Sequence, residues 1–302
     1  MIDYINYYYD LYPASINEVD NKYMFYVNSE KYYMVPYDRN IEELDELVNL
    51  NKEMILNGSL VHEIIVNKFD KYINNFNGIL YIVFRVYVND SKSVTINDLI
   101  YMLNEVSIDF SNMKLISRTN WSKLWEDKID YFEYQMGHMI KKYPILYNII
   151  DYYLGMSENA ILYLKTISSY YEGNVEVGIC HRRIGANFTL FDLYNPLNLI
   201  IDYKVRDIGE YIKDSFFNDK DINNILSTIY SSYYFDKLNL SLLVSRLLFP
   251  SYFFDEFENI VYTDSNENVI FSIIKKSSLF EDFINKFIKS CNLQTIGWLN
   301  KY

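Results

Sequence analysis

Histidine, cysteine and glycine are scarce in this chain, and each shortage closes off a class of function. Its 302 residues include three histidines (His62, His138 and His181) and two cysteines (Cys180 and Cys291), and no spacing among them suits a structural zinc site. The cysteines stand far apart, form no Cys-x-x-Cys, and read as reduced, buried apolar side chains of a cytosolic protein. Glycine occurs nine times and never before Gly58, so the amino-terminal stretch has no glycine-rich loop to wrap a phosphate. Basic residues are also in the minority: 28 Lys and Arg against 40 Asp and Glu give a net charge of −12. Such a surface repels phosphate backbones and anionic headgroups, which argues against nucleic acid and bare membrane as partners. No uncharged apolar run approaches the ~18 residues needed to cross a bilayer. The opening Met1-Ile2-Asp3-Tyr4 lacks the basic region of a signal peptide. The expectation is a chain made in the cytoplasm, without an export signal or a transmembrane segment.

Aromatic residues are plentiful instead, with 32 Tyr and 19 Phe, whereas Ala occurs only at 14, 160 and 186. That pattern follows AT-rich codons more closely than it follows a recognition surface. Half the residues are apolar, enough for well-buried cores, and the length allows two lobes. Residues 3–12 read as a short helix ended by Pro13. Lys22–Val27 and Lys31–Val35 are β-prone and joined by Asn28-Ser29-Glu30, a hairpin. Asn40 and Glu43 have capping-box spacing ahead of a helix that Gly58 closes. A second hairpin is expected from His62–Lys68 to Ile79–Val88, turning at Asn77-Gly78. Asn89-Asp90-Ser91-Lys92 is the candidate hinge. Beyond it the apolar spacing is helical: Thr95 and Asp98 form a capping box, and helices are expected over 121–141, 144–166, 206–217, 221–235, 240–257 (broken at Pro250) and 278–291. A β-rich lobe over residues 1–88 and a helical lobe over 89–302 make an α+β design.

One stretch stands out for chemistry. Val177-Gly178-Ile179-Cys180 delivers His181 into the loop Arg182-Arg183-Ile184-Gly185-Ala186-Asn187-Phe188, and the apolar strand Leu199-Ile200-Ile201 then delivers Asp202. Kinase-type phosphotransferases build their floor this way, from a loop supplying a proton acceptor and an amide and a strand supplying a metal-binding Asp. The pattern His-x-Asp-x-x-x-x-Asn is altered here: Arg183 stands at the Asp position and Phe188 at the Asn position, with Asn187 one place early. Cys180 and His181 are adjacent on an extended segment and point to opposite faces, which argues against a Cys–His nucleophile. Asp202, after a buried run, needs a partner: a metal ion, or an ion pair with Arg182, Arg183 or Lys204. Glu126, Asp127, Asp130 and Glu133 read as a solvated helix face, and Trp121 and Trp125 as packing anchors.

The runs Asn120–Glu133, Asp151–Ile161 and Cys180–Arg183 resemble the spore-coat-associated kinase-like proteins of endospore-forming Firmicutes, in their YutH branch, which is related to CotS. More distantly, the chain is similar to aminoglycoside and choline phosphotransferases. The resemblance covers most of residues 20–260 and implies a two-lobed kinase-like fold, coat association during sporulation, and frequent loss of catalytic groups. It matches His181 to the catalytic-loop His, Asp202 to the metal Asp and Asp207 to the Asp that braces the loop. Asn187 is the nearest cofactor-binding amide, and Arg183 replaces the catalytic Asp. Where the third strand should carry a Lys there is Met34-Val35-Pro36-Tyr37, with Lys31 only at its start. Glu42, Glu43 and Glu46 on the next helix therefore have no obvious ion-pair partner. The expectation is a pseudokinase that needs no cofactor and serves the spore coat by contacts with other proteins. The alternative is an ATP- and Mg²⁺-dependent phosphotransferase acting on a small hydroxylated or amine substrate.

Overall fold

The computed structural model describes residues 1–19, 22–88, 91–105, 108–139, 142–185 and 188–299. Helix α1 (Ile2–Tyr9) precedes strands β1 (Ile16–Val19), β2 (Lys22–Val27) and β3 (Glu30–Pro36). Helix α2 (Leu44–Leu56) leads to β4 (Glu63–Ile64), β5 (Ile73–Phe76) and β6 (Ile79–Val86). Then come α3 (Ile96–Glu105), α4 (Trp121–Met139), α5 (Pro144–Tyr170), β7 (Val177–His181), the one-turn α6 (Leu190–Leu193) and β8 (Leu199–Tyr203). Five helices follow: α7 (Val205–Phe217), α8 (Ile222–Ser232), α9 (Lys237–Leu248), α10 (Ser251–Thr263) and α11 (Phe271–Ser290). A small antiparallel sheet with a larger helical part is the α+β architecture expected. The chain forms two compact units, Met1–Ser117 with Asn187–Ile201, and Arg118–Ala186 with Asp202–Tyr302. The unit holding the sheet thus runs past the lobe boundary expected after residue 88.

The sheet has the order β1-β2-β3-β6-β4, with β5 also paired to β6. Period-two alternation gives it two apolar faces. Val35 of β3 and Ile82 and Phe84 of β6 pack with Leu47 and Val48 of α2, while Tyr32, Met34, Tyr81 and Val83 face Ile5 and Tyr9 of α1. The β2–β3 turn has Asn28 at φ 50° and Ser29 at φ 67°, and Asn77 and Gly78 at 52° and 85° join β5 to β6. Both pairs have the positive φ values of tight hairpin turns.

Three local expectations need correction. The strand that turns at Asn77-Gly78 is β5, from a stretch expected to be loop, while His62–Lys68 contributes only the two residues of β4. Asn74 hid it: a buried polar residue in a short strand, held by Asn67 at 2.6 Å and the Tyr9 hydroxyl at 2.8 Å. Strand β1 was not expected either, because Asn17 and Glu18 give an edge strand a polar look. Finally, Asn40 accepts from the Glu42 amide at 3.2 Å and opens a 3₁₀ turn, while Glu43 turns to Arg39 at 2.8 Å, so no capping box forms there.

Of the hinge candidate, Asn89 and Asp90 lie outside the described residues. Just beyond it, the Val94 amide donates to Phe188 O at 2.9 Å and the Leu190 amide to Lys92 O at 3.0 Å, which joins the 188–190 segment to this unit. The Thr95–Asp98 capping box is formed, with Thr95 Oγ1 2.6 Å from Asp98 Oδ2. His62, fully buried, donates from Nε2 to Phe191 O at 3.2 Å and accepts the Tyr87 amide at Nδ1 at 3.4 Å.

In the other unit, α4 presents Trp121, Trp125 and Phe132 to the interior. Trp125 stacks on Phe249 at 4.5 Å and Phe132 on Phe254 at 4.3 Å, so the tryptophans are packing anchors. Pro250 separates α9 from α10, as its missing amide and fixed φ require. Gly209 lets α7 close on α9: a Cβ there would meet Arg246 Cγ at 2.9 Å.

Candidate functional site

Strand β7 ends with Cys180 fully buried and His181 1% exposed. The Cys180 thiol faces Tyr203 O at 3.5 Å, and burial pushes its pKa well up. The His181 ring goes elsewhere: its Nδ1 lies 2.6 Å from Asp207 Oδ2, and its backbone amide donates to Asp207 Oδ1 at 3.1 Å. Asp207, in the first turn of α7, therefore holds both the backbone and the ring of His181.

Asp202, at the end of β8, is 0% exposed. Its Oδ1 accepts from the Trp121 indole at 2.8 Å and from the Tyr203 amide at 2.8 Å, and its Oδ2 from Arg206 Nη1 at 3.0 Å. Burial raises its pKa, against the pull of Arg206 and Arg246. The ion-pair partner is thus Arg206, not Arg182, Arg183 or Lys204. Lys204 instead lies 3.5 Å from Glu176. Arg206 also donates from Nε to His181 O at 3.1 Å and from Nη2 to Arg182 O at 2.9 Å. Burial would lower its pKa, but Asp202, Glu210 and Asp207 hold it up.

Arg183, at the catalytic Asp position, is 71% exposed and lies 3.5 Å from both Asp255 and Glu258 of α10. Asp255 has a raised pKa from burial, opposed by Arg183 and Lys128. Asn187 lies outside the described residues. Beneath the loop, Glu210 of α7 accepts from Arg246 at 2.5 Å and pairs with Lys213 at 2.7 Å. Lys213, 1% exposed, also reaches Arg246 O, Phe249 O and Ser251 Oγ. Burial brings Lys213 down to about 8, while Arg246, Lys213 and Arg206 overcome the burial of Glu210 and bring it to about 2. Arg246 in turn lies over the Trp121 ring at 5.3 Å, so the polar groups from Asp207 to Lys213 form one network around α7.

A resident divalent ion does not fit Asp202 as it is arranged. Both oxygens are engaged inside the protein, one of them by a cation. At an effective dielectric of ~20, a divalent ion ~4 Å from that guanidinium would be repelled by about 8 kcal/mol. Among the described residues no group of three or more His, Cys, Asp and Glu side chains is arranged to hold a metal ion.

The unit containing the sheet carries the other groups of interest. On the β3 face that packs against α2 stand Lys31, Tyr33 and Val35, of which Tyr33 and Val35 join the apolar cluster. Lys31 lies 5.0 Å over the Tyr33 ring. Tyr33 packs on Phe191 at 5.1 Å, and Phe191 on His62 at 4.8 Å. Two carboxylates at the start of α2 are engaged: Glu43, just ahead of it, pairs with Arg39, and Glu46 accepts the amides of Lys114, Leu115 and Ile116 at 2.7–3.1 Å. Sequence reasoning missed Arg206 and the Glu210–Lys213–Arg246 cluster, and it gave no partner for Glu46. The i,i+4 spacing of Asp202 and Arg206 was the available signal for the first.

The family described as "Spore coat putative kinase YutH" matches residues 2–287. The endospore coat-associated protein YutH of Bacillus subtilis is 26% identical over 208 residues, 60% of this chain and 61% of that protein. The match therefore spans about three-fifths of the curated relative's length. Among solved structures, an aminoglycoside phosphotransferase from Alicyclobacillus acidocaldarius superposes with a TM-score of 0.63 at 10% identity, covering 94% of this chain and 93% of that one. The AMP-bound complex of a spectinomycin phosphotransferase gives 0.58 at 12% identity, covering 96% and 93%. At these identities the structural likeness speaks for the fold alone.

Proposed function

This chain belongs to the YutH family of spore-coat kinase-like proteins, and from that premise we propose that it is a pseudokinase, a structural or interaction component of the spore coat. It is made in the cytoplasm, and its partners are other coat proteins. The observation that carries this reading is Glu46. In kinases a Lys on the third strand pairs with a Glu of the following helix and grips the phosphates. Here the middle of the strand offers Tyr33 and Val35 on the helix-facing side, Lys31 stands only at its start and over the Tyr33 ring, and Glu46 is committed to three backbone amides. A missing general base alone, as at Arg183, costs roughly 10²–10⁴-fold and would leave a slow enzyme. Phosphoryl transfer rests mainly on positioning and charge neutralisation, so loss of the grip on the phosphates weighs more.

Melting the protein with and without Mg-ATP tests this. A nucleotide at ~100 times its Kd adds ~2.7 kcal/mol, or about 5–10 °C for a chain of this size. No shift is expected. A shift with no phosphate release would make the protein a nucleotide binder without turnover. Expression confined to sporulating cells is the outcome expected for the coat assignment.

One observation favours a second reading. The Asp207 brace of His181 is intact, as a phosphotransferase acting on a small hydroxylated or amine substrate would need. In that case ATP and Mg²⁺ would be the cofactors, and steady phosphate release in the presence of an acceptor would establish it.

A further inference from the structure

The disagreement between Asp202 and a metal ion has a specific cause. One guanidinium uses Nη1, Nε and Nη2 on three different acceptors: Asp202 Oδ2 at 3.0 Å, His181 O at 3.1 Å and Arg182 O at 2.9 Å. A divalent ion needs a compact shell of oxygens at short range and keeps several waters. A planar fork of N–H donors needs neither water nor space, and it can satisfy a carboxylate and two carbonyls at once. The second oxygen of Asp202 is closed off by the Trp121 indole and the Tyr203 amide. All of these groups lie in one compact unit, on β7, β8, α4 and α7.

We infer that Arg206 is the permanent resident cation of this site, neutralising Asp202 and fixing the carbonyls of His181 and Arg182 where an enzyme of this fold would use a metal ion. The loop geometry is then set by folding rather than by ligand. This deepens the pseudokinase reading and rests on it for the comparison with an enzyme, but the two fail separately. ATP that stabilises the protein without any metal would defeat that reading and leave Arg206 in its role.

The test uses the full-length chain and Mn²⁺ as probe. In a spectrum of ¹⁵N-labelled tryptophan, with the Trp121 indole assigned by Trp121→Phe, added Mn²⁺ should broaden the Trp121 signal no more than that of Trp298. Selective loss of the Trp121 signal at stoichiometric Mn²⁺ would overturn the inference, and this reading needs no variant other than the one used for assignment. A double-mutant cycle adds a second readout. Asp202→Asn and Arg206→Met should each lower the unfolding midpoint, the pair together no more than the worse single change, and Arg206→Lys should recover only part of the loss. Additive shifts would count against a direct partnership. A midpoint that Mn²⁺ raises in the wild type but not in Asp202→Asn would restore the metal.

Discussion

His62 shows how one buried side chain ties stability to pH. Its Nε2 donates and its Nδ1 accepts, an arrangement available only to the neutral ring. Burial, partly offset by the Phe191 carbonyl, brings its pKa down from 6.5 to about 4. The unfolded chain therefore binds the extra proton first. Stability is full above pH ~6.5 and falls as pH drops toward ~4, by about 3 kcal/mol. Urea midpoints at pH 7 and 4.5 should differ accordingly, and His62→Gln should flatten that difference. Glu210 has the same sign for a different reason: its value of about 2 reflects the Arg246 and Lys213 charges it holds. Glu210→Gln leaves two buried cations without the charge that neutralises them and should cost about 3–5 kcal/mol in chemical denaturation.

Helix α2 has a structural duty beyond its apolar face of Leu47, Val48, Leu50 and Met54. Through Glu46 it fixes the backbone at 114–116, just before α4 begins. Glu46→Gln should weaken these charge-assisted bonds by about 1–3 kcal/mol in total, read as faster hydrogen exchange at Lys114–Ile116 with the α2 amides little changed. Helix α8 is held at its start by Asp221, whose side chain accepts the Asn224 amide at 3.1 Å. Asp221→Ala should lower stability by about 1 kcal/mol. These elements also mark what the sequence could disclose. The helices from α4 to α11, the one-turn α6 aside, were legible because i, i+3, i+4 spacing is a local property, as in Phe280, Ile284, Phe287 and Ile288 of α11. Strands β1 and β5 were not: β1 is an edge strand with polar residues at Asn17 and Glu18, and Asn74 of β5 is satisfied by Tyr9, distant in sequence.

For the molecule as a whole, His181 and Asp202 stood out locally, each as a polar residue at the end of an apolar strand, whereas Asp207 was singled out only through the family resemblance. The partner of Asp202 could not be read. Three other cations, Arg182, Arg183 and Lys204, competed for that role, and Arg206 takes it because α7 begins at Val205 and turns the chain back toward the strand end. Restoring the motif alone should achieve little. Arg183→Asp is expected to leave phosphate release from ATP at background, because Tyr33, Val35, Glu46 and Arg206 are all unchanged by it. Measurable turnover from that one substitution would mean the remaining groups suffice.

The guanidinium lodged against Asp202 also has a bearing on descent. Removing it exposes a buried carboxylate and frees two carbonyls, so a lineage stepping back toward catalysis would first pass through a less stable ancestor with no activity to select. Under the role inferred here, Arg206 works as a ratchet, and the path back to an enzyme begins downhill in fitness.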